Sequence, residues 1–298
     1  MHCCKASSSA FCPEKEIILI RKSALMTVLA VTVAANVARS QMNPTTSVSF
    51  NSYVAQVEKQ IRNDEASPES FLGAHFSSRD SNFDLRLQRE GMLIEKSGVS
   101  PTEIPSGLIH HWVGATFIAD ATIEEVFAVV RDYGRLERYY SPEVLSSRLI
   151  SRNGDDFQIS LRLRKHKVVT VVLDTEYDVH YGRLDPTHQF SFSRSTRVSE
   201  IVNPGERTER PLAEGNDHGY MRRLNTYWRF VQMSDGVVVE CEAISMTREV
   251  PTGLGWLIEP FIQNLPRESL EFTLIATREA VLKSKKLNQV PITQPRTQ

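Results

Sequence analysis

Phe117 to Ser141, FIADATIEEVFAVVRDYGRLERYYS, is the stretch on which the reading of the fold turns. Its first residues close a β-rich run that begins at Leu108. Asp120-Ala121-Thr122 then offers polar caps ahead of Ile123, Val126, Phe127 and Val130, which are spaced for one helical face. Gly134 breaks that helix just beyond Tyr133. Arg135 to Tyr140 predicts a second short helix, stopped by Ser141-Pro142.

Downstream the period changes from helical to two-residue. Val144 to Arg152 runs into the turn Asn153-Gly154-Asp155. The strand after it alternates Phe157, Ile159, Leu161 and Leu163 with Gln158, Ser160, Arg162 and Arg164. Val168 to His180 repeats the rule, with Val169, Val171, Leu173, Tyr177 and Val179 in one phase and Asp174, Glu176 and Asp178 in the other. His188 to Ile201, Tyr220 to Met233 and Val237 to Thr247 predict three more antiparallel strands around a polar excursion at 203–219. Past Pro251, a helical pattern from Leu257 to Val281 predicts a long closing helix with a kink near Pro266.

Two segments carry a family resemblance: Phe117 to Ser141, and REVPTGLGWLIEPFIQNLPRESLEFTLIATREAV from Arg248 to Val281. Strand, two helices, a series of antiparallel strands and a long last helix resemble the START-like or SRPBCC superfamily, over Gly107 to about Lys285. The resemblance implies an α+β helix-grip fold. In it a curved antiparallel sheet wraps around the C-terminal helix and a hydrophobic cavity lies between them. Neither segment is catalytic, so the likeness speaks for architecture before activity.

Such a cavity needs inward positions that are apolar without filling the space. The expected lining is Leu161, Leu163, Val171, Leu173, Tyr177, Phe190, Phe192, Leu224, Trp228, Phe230 and Cys241, with Trp256 and Phe261 from the closing helix. Val239, Cys241, Ala243 and Ser245 form a small-residue phase that leaves room for a ligand. His110, His111, Tyr139, Tyr140 and Arg194 are the candidate polar anchors. His110 and His111 are adjacent on one strand, so they point to opposite faces and at most one enters the cavity. Glu240 and Glu242 share a face expected to be on the solvent side, in cross-strand ion pairs with Arg162, Arg164, Arg223 and Arg229. No metal site, cofactor fingerprint, G-x-S-x-G or H-E-x-x-H pattern occurs in a usable context, so the reading assigns no cofactor, no metal and no catalytic residue.

Upstream, residues 41–105 read as a small N-terminal extension. It has a flexible start from Gln41 to Phe50, a helix over Ser52 to Arg62, and strands at Phe83 to Gln88 and Met92 to Glu95. The Ser/Pro/Gly-rich stretch Ser97 to Gly107 is the boundary before the START-like domain at 106–285, and 286–298 is a flexible tail. At the start of the chain, Ala24 to Ala35, ALMTVLAVTVAA, follows Arg21-Lys22 and is too short to span a bilayer. With Ala38-Arg39-Ser40 it predicts a signal peptide cleaved after Ser40 and a periplasmic or secreted product. Retention as an uncleaved N-terminal anchor is the alternative. Three of the four cysteines, Cys3, Cys4 and Cys12, fall within that leader and only Cys241 lies beyond it, so an intramolecular disulfide in the cleaved chain is excluded.

Across all 298 residues, 41% are hydrophobic, and 35 Lys and Arg balance 36 Asp and Glu, for a formal charge of -1. That composition excludes a chain disordered throughout and gives no footprint for a nucleic-acid backbone. Without the expected leader the chain has 30 basic and 34 acidic residues, a net charge of -4, which argues against tight adsorption to anionic lipid. The leading expectation is an exported carrier or binder of a hydrophobic small molecule of the lipid, isoprenoid, quinone or polyketide class. The alternatives are a cyclase or aromatase of the same fold and an interaction module with a vestigial cavity.

Overall fold

A computed structural model describes residues 44–72, 83–166, 170–213, 216–249 and 255–288. The expected leader and its cleavage point lie outside these residues, and so do the side chains of Trp256 and Phe261. Helix α1 spans Pro44–Asp64 and α2 spans Phe83–Glu90. Strands β1 (Met92–Lys96), β2 (Thr102–Ile104) and β3 (Gly107–Ala119) follow, then α3 (Ile123–Val130) and α4 (Leu136–Tyr139). The remaining strands are β4 (Val144–Asn153), β5 (Asp156–His166), β6 (Thr170–Asp185), β7 (His188–Val202), β8 (Arg210–Pro211), β9 (Arg223–Met233) and β10 (Gly236–Arg248). Helix α5, Gly255–Asn288, closes the chain.

The strands form one antiparallel sheet in the order β1-β3-β10-β9-β7-β6-β5-β4, with β2 added to β3 and β8 to β7. Helix α5 lies on one face, hereafter the inner face, where Leu270, Leu274 and Val281 pack on Trp112, Ile118, Phe230, Val239 and Cys241. The approach is close enough that Gly114 is needed on β3: a Cβ there would stand 2.7 Å from the Leu274 side chain. Helix α3 begins at the expected cap. The Thr122 hydroxyl accepts from the Glu125 amide at 3.2 Å, and the Glu125 carboxylate accepts from the Thr122 amide at 3.0 Å. This is the α+β helix-grip arrangement, a long C-terminal helix held on one face of an antiparallel sheet.

The opposite, outer face is not open. Phe50, Val54 and Ile61 of α1 pack on Ile109, Tyr227, Ile244 and Met246. Beside them Phe71 and Leu87 cover Leu93, Val113, Ala115, Val231 and Val238. The centre of the sheet is therefore buried on both sides, which is why β10 reads VVVECEAISM with hardly any polar alternation.

Four elements differ from the expectations, two of them the short strands β2, inside the expected boundary, and β8, inside the expected polar excursion. Phe83 to Gln88 forms a helix, not a strand. The alternation of Phe83, Leu85 and Leu87 is misleading because Leu85 is exposed, whereas Phe83 and Leu87, one helical turn apart, both reach the outer cluster. Helix α1 starts at Pro44, about eight residues before the expected cap at Ser52. Proline suits a first turn, the buried Thr46 hydroxyl donates to the Pro105 carbonyl at 2.6 Å, and Phe50 anchors the added turns.

Candidate ligand site

The inner face carries most of the residues expected there. Leu161 and Leu163 on β5, Val171 on β6, and Leu224 and Trp228 on β9 face inward and are only half-buried. Leu173, Tyr177, Phe230 and Cys241 are buried in the same phases. The Trp228 and Phe230 rings stack with centroids 6.1 Å apart, and Phe272 of α5 joins Leu161 and Leu224 in the cluster built around Tyr177 and its buried neighbours.

Phe190 and Phe192 are corrections. The ladder pairs Phe190 with Arg229 and Phe192 with Tyr227, which puts both rings on the outer face, and Ser191 and Ser193 take the inner positions. Taking apolar as inward failed here because the outer face is itself covered. Arg194 shares the outer phase, and its Nε donates to the Glu58 carboxylate of α1 at 2.6 Å, so it anchors the helix and does not enter the inner space. His111 also points outward. Tyr53 donates to its Nδ1 at 2.8 Å, and its Nε2 donates to Glu242 at 2.6 Å.

His110 is the inward member of the pair and is fully buried. Its Nε2 lies 3.1 Å from the Thr247 hydroxyl, while its Nδ1 has no hydrogen-bond partner among the described residues. Burial first, and then the Lys96 charge, lower its pKa to about 4, so the ring is neutral at physiological pH. Two positions along the same strand and on the same face, the buried Trp112 Nε1 also lacks an acceptor. The Tyr177 hydroxyl makes no well-formed hydrogen bond among the described residues either, its nearest polar neighbour being the Thr175 hydroxyl, which itself donates to the Leu161 carbonyl at 3.0 Å. Burial pushes the Tyr177 phenol up to about 12.

Tyr140 is buried, and its hydroxyl meets that of Thr277 on α5 at 2.9 Å, joining α4 to the closing helix. Tyr139 is half-buried and donates to Asp132 at 2.9 Å, so that hydroxyl is engaged. The sequence reading missed Trp112, although its same-face spacing from His110 was a usable signal. It also missed the Tyr133–Tyr181 hydroxyl pair at 2.7 Å and the Arg131 guanidinium 3.9 Å above the Tyr181 ring.

Glu240 and Glu242 correct a further expectation. They lie on the outer face, but buried and not in solvent, and both engage Arg229, which is itself buried. Glu65, at the end of α1, approaches the Arg229 Nε at 3.5 Å. Among the described residues no three metal-ligating side chains gather, and no helix is long and apolar enough to cross a membrane. The inner face thus presents the neutral polar atoms of His110, Trp112 and Tyr177 in an apolar surround, with the Arg131 guanidinium over the Tyr181 ring and the Lys165–Glu143 ion pair beside Phe272, a setting suited to a largely apolar body with an occasional polar group.

Comparison with known proteins gives a family and a set of similar folds. A STAR-related lipid transfer protein from Xanthomonas axonopodis is similar at 18% identity over 64% of this chain and 98% of its own, with a TM-score of 0.41. Human STARD10 is similar at 13% identity over 71% of this chain and 83% of its own, TM-score 0.42. The Zhui aromatase/cyclase from a Streptomyces species is similar at 14% identity over 60% and 94%, TM-score 0.40. No curated protein matches the chain in sequence. The family model for polyketide cyclase / dehydrase and lipid transport matches residues 119–272, more than half of the chain, and the chain belongs to that family.

Proposed function

We propose that this protein binds or carries a hydrophobic small molecule between the inner face of the sheet and α5. One observation carries the reading. Inward-facing Leu161, Leu163, Leu224 and Trp228 keep partial solvent access, while buried polar atoms of His110 and Trp112 on the same face lack partners among the described residues and the Tyr177 hydroxyl has no well-formed one. A filled core would have closed over the first group, and unpaired buried polar atoms are costly unless something meets them. Apolar contact supplies the affinity, and one or two hydrogen bonds fix the orientation. The lipid, isoprenoid, quinone and polyketide classes all have this chemistry.

Export is part of the proposal and is supported by the basic pair Arg21-Lys22, the apolar run Ala24 to Ala35 and the small residues Ala38 and Ser40. Native mass spectrometry of protein purified from its own host, followed by solvent extraction, tests both parts. The expected result is a stoichiometric apolar compound on a chain beginning at Gln41. An empty protein, still empty after incubation with a lipid and quinone panel, overturns the binding reading, and a mass that retains residues 1–40 overturns cleavage.

A cyclase-type enzyme is the second reading, favoured by the neutral His110 with its unpartnered Nδ1. It requires turnover that His110→Ala removes while ligand binding persists.

A further inference from the structure

Strand β4 is the free edge of the sheet at the end opposite β1. Natural edge strands are usually kept short, charged or covered. This one is ten residues long, VLSSRLISRN, and its exposed members include three large aliphatic side chains: Leu145 at 39%, Leu149 at 42% and Ile150 at 45%. Its ladder with β5 shifts register between Val144 and Ser146 and again between Leu149 and Ser151, so two of the three, Leu145 and Ile150, are the bulged residues. A bulge interrupts pairing and re-aims the side chain it carries.

Cations surround this apolar rim. Arg148 and Arg152 lie on the strand, which has no Asp or Glu, and Arg138 lies on α4, tied to β4 where the Ser147 hydroxyl accepts from the Leu136 amide at 2.9 Å. All three arginines are exposed, and none pairs with a carboxylate among the described residues. Arg152 donates only to the Gly154 carbonyl and lies over the Phe157 ring. Nearby acids are mostly engaged: Glu137 by Ser147, Glu143 by Lys165 and Asp156 by His180, leaving Asp155 at the turn.

We infer that the β4 edge docks on an anionic lipid surface, with Leu145, Leu149 and Ile150 entering the interface and Arg138, Arg148 and Arg152 meeting the headgroups. Aliphatic side chains flanked by arginines are the composition of an interfacial contact. A second copy fits less well, because the bulges break a continuous ladder and two β4 strands would bring arginines together. Net charge does not favour the docking, which rests on the local cluster. Screening over about 8–10 Å at physiological salt leaves the local arginines to decide it.

The test is co-sedimentation of the full chain with phosphatidylcholine vesicles, with and without phosphatidylglycerol. Wild type is expected to bind the anionic vesicles, less tightly as salt rises. R148Q/R152Q should lose about 25-fold in affinity, roughly fivefold per arginine, and L145S/I150S should lose binding to the same vesicles. All these residues are exposed, and an unchanged melting temperature confirms the fold of each variant. Three outcomes overturn the inference: no binding by wild type, equal binding by both variants, or a wild-type dimer that L145S/I150S converts to monomer. Ligand retention, read on the same variants by native mass spectrometry, is expected to be unchanged. Its loss would count against the proposed ligand site and not against the docking.

Discussion

His111 and Glu242 meet diagonally across the β3–β10 ladder, His111 Nε2 donating to the carboxylate at 2.6 Å with both side chains buried. The contact is one link in a buried polar group that joins the outer face to α1. Tyr53 donates to the other nitrogen of His111, and the second oxygen of Glu242 accepts from Arg229 at 3.3 Å. Arg229 also holds Glu240 and approaches Glu65. A covering helix is here fastened to a sheet by ion pairs sealed from water. Such an arrangement is costly to break on one side even where an apolar replacement of the whole group would be tolerated.

Arg229 is the cation common to these contacts, so Arg229→Met should be severely destabilising. It leaves Glu240 and Glu242 buried without their shared guanidinium, and a loss of about 3–5 kcal/mol is expected. Urea unfolding would measure it. A loss below about 1 kcal/mol would mean that α1 already lets water reach the group.

The same group makes stability depend on pH. Burial pushes the Glu65 carboxyl up to about 7, against the partial opposition of Arg229, with Glu242, Glu240 and Asp64 adding to the rise. The folded chain therefore holds this proton more tightly than the unfolded chain. The contribution is fully present below about pH 4.5 and is lost as pH rises to about 7. His110 acts in the opposite direction: its lowered value means that stability is lost as pH falls from about 6.5 toward 4. The two are separated by variants. The melting temperature of Glu65→Gln should gain on that of wild type as pH rises from 5 to 7.5, and a constant difference would contradict the assignment.

The long strands β3 to β7, β9 and β10, the capped helix α3, the short α4 and the closing helix were legible in the sequence because each is long enough or periodic enough to show a buried face, whereas the short β2 and β8 were read as boundary and loop. What else was not legible follows from the second covered face. Phe190, Phe192, Glu240, Glu242 and Arg194 were each assigned on the premise that the sheet has one wet side, whereas the alternation of His110 and His111 held. The premise fails once α1 and the Phe71–Leu87 cluster lie on that side. The signal that α1 covers something was present in Phe50, Val54, Val57 and Ile61. Covering the chain's own sheet was the simpler reading of that stripe, but the residues it meets could not be named, because nothing local connects Glu58 to Arg194 across 136 positions. Trp112 was overlooked for a different reason: its ring belongs to the core, and only the missing partner of its Nε1 sets it apart.

Gly114 marks the closest approach of α5 to the sheet. An alanine there would place its Cβ 2.7 Å from Leu274 and 3.3 Å from Ile94 and Leu270. Gly114→Ala should therefore cost about 1–3 kcal/mol as overpacking. Because the nearest atom belongs to a side chain, the cost should fall in a Leu274→Ala background. A double-mutant cycle would give a coupling of about 0.5–3 kcal/mol if the two share that contact, and strict additivity would place the strain elsewhere.

Tyr177 and Trp228 allow the ligand reading to be tested without confusing it with folding. Trp228 is half-buried on the inner face, so Trp228→Ala should leave the fold standing while weakening uptake of an apolar ligand about 10- to 100-fold. Tyr177→Phe asks a finer question. Its hydroxyl is buried without a well-formed hydrogen bond, so removing it should leave the unliganded protein unchanged or more stable by up to about 1 kcal/mol. If a ligand group meets that hydroxyl, the same change should weaken binding about 5- to 10-fold, and the liganded and unliganded melting temperatures should move in opposite directions. A parallel shift of both would mean that the hydroxyl does not meet the ligand, and His110 and Trp112 would be left as the polar groups that orient it.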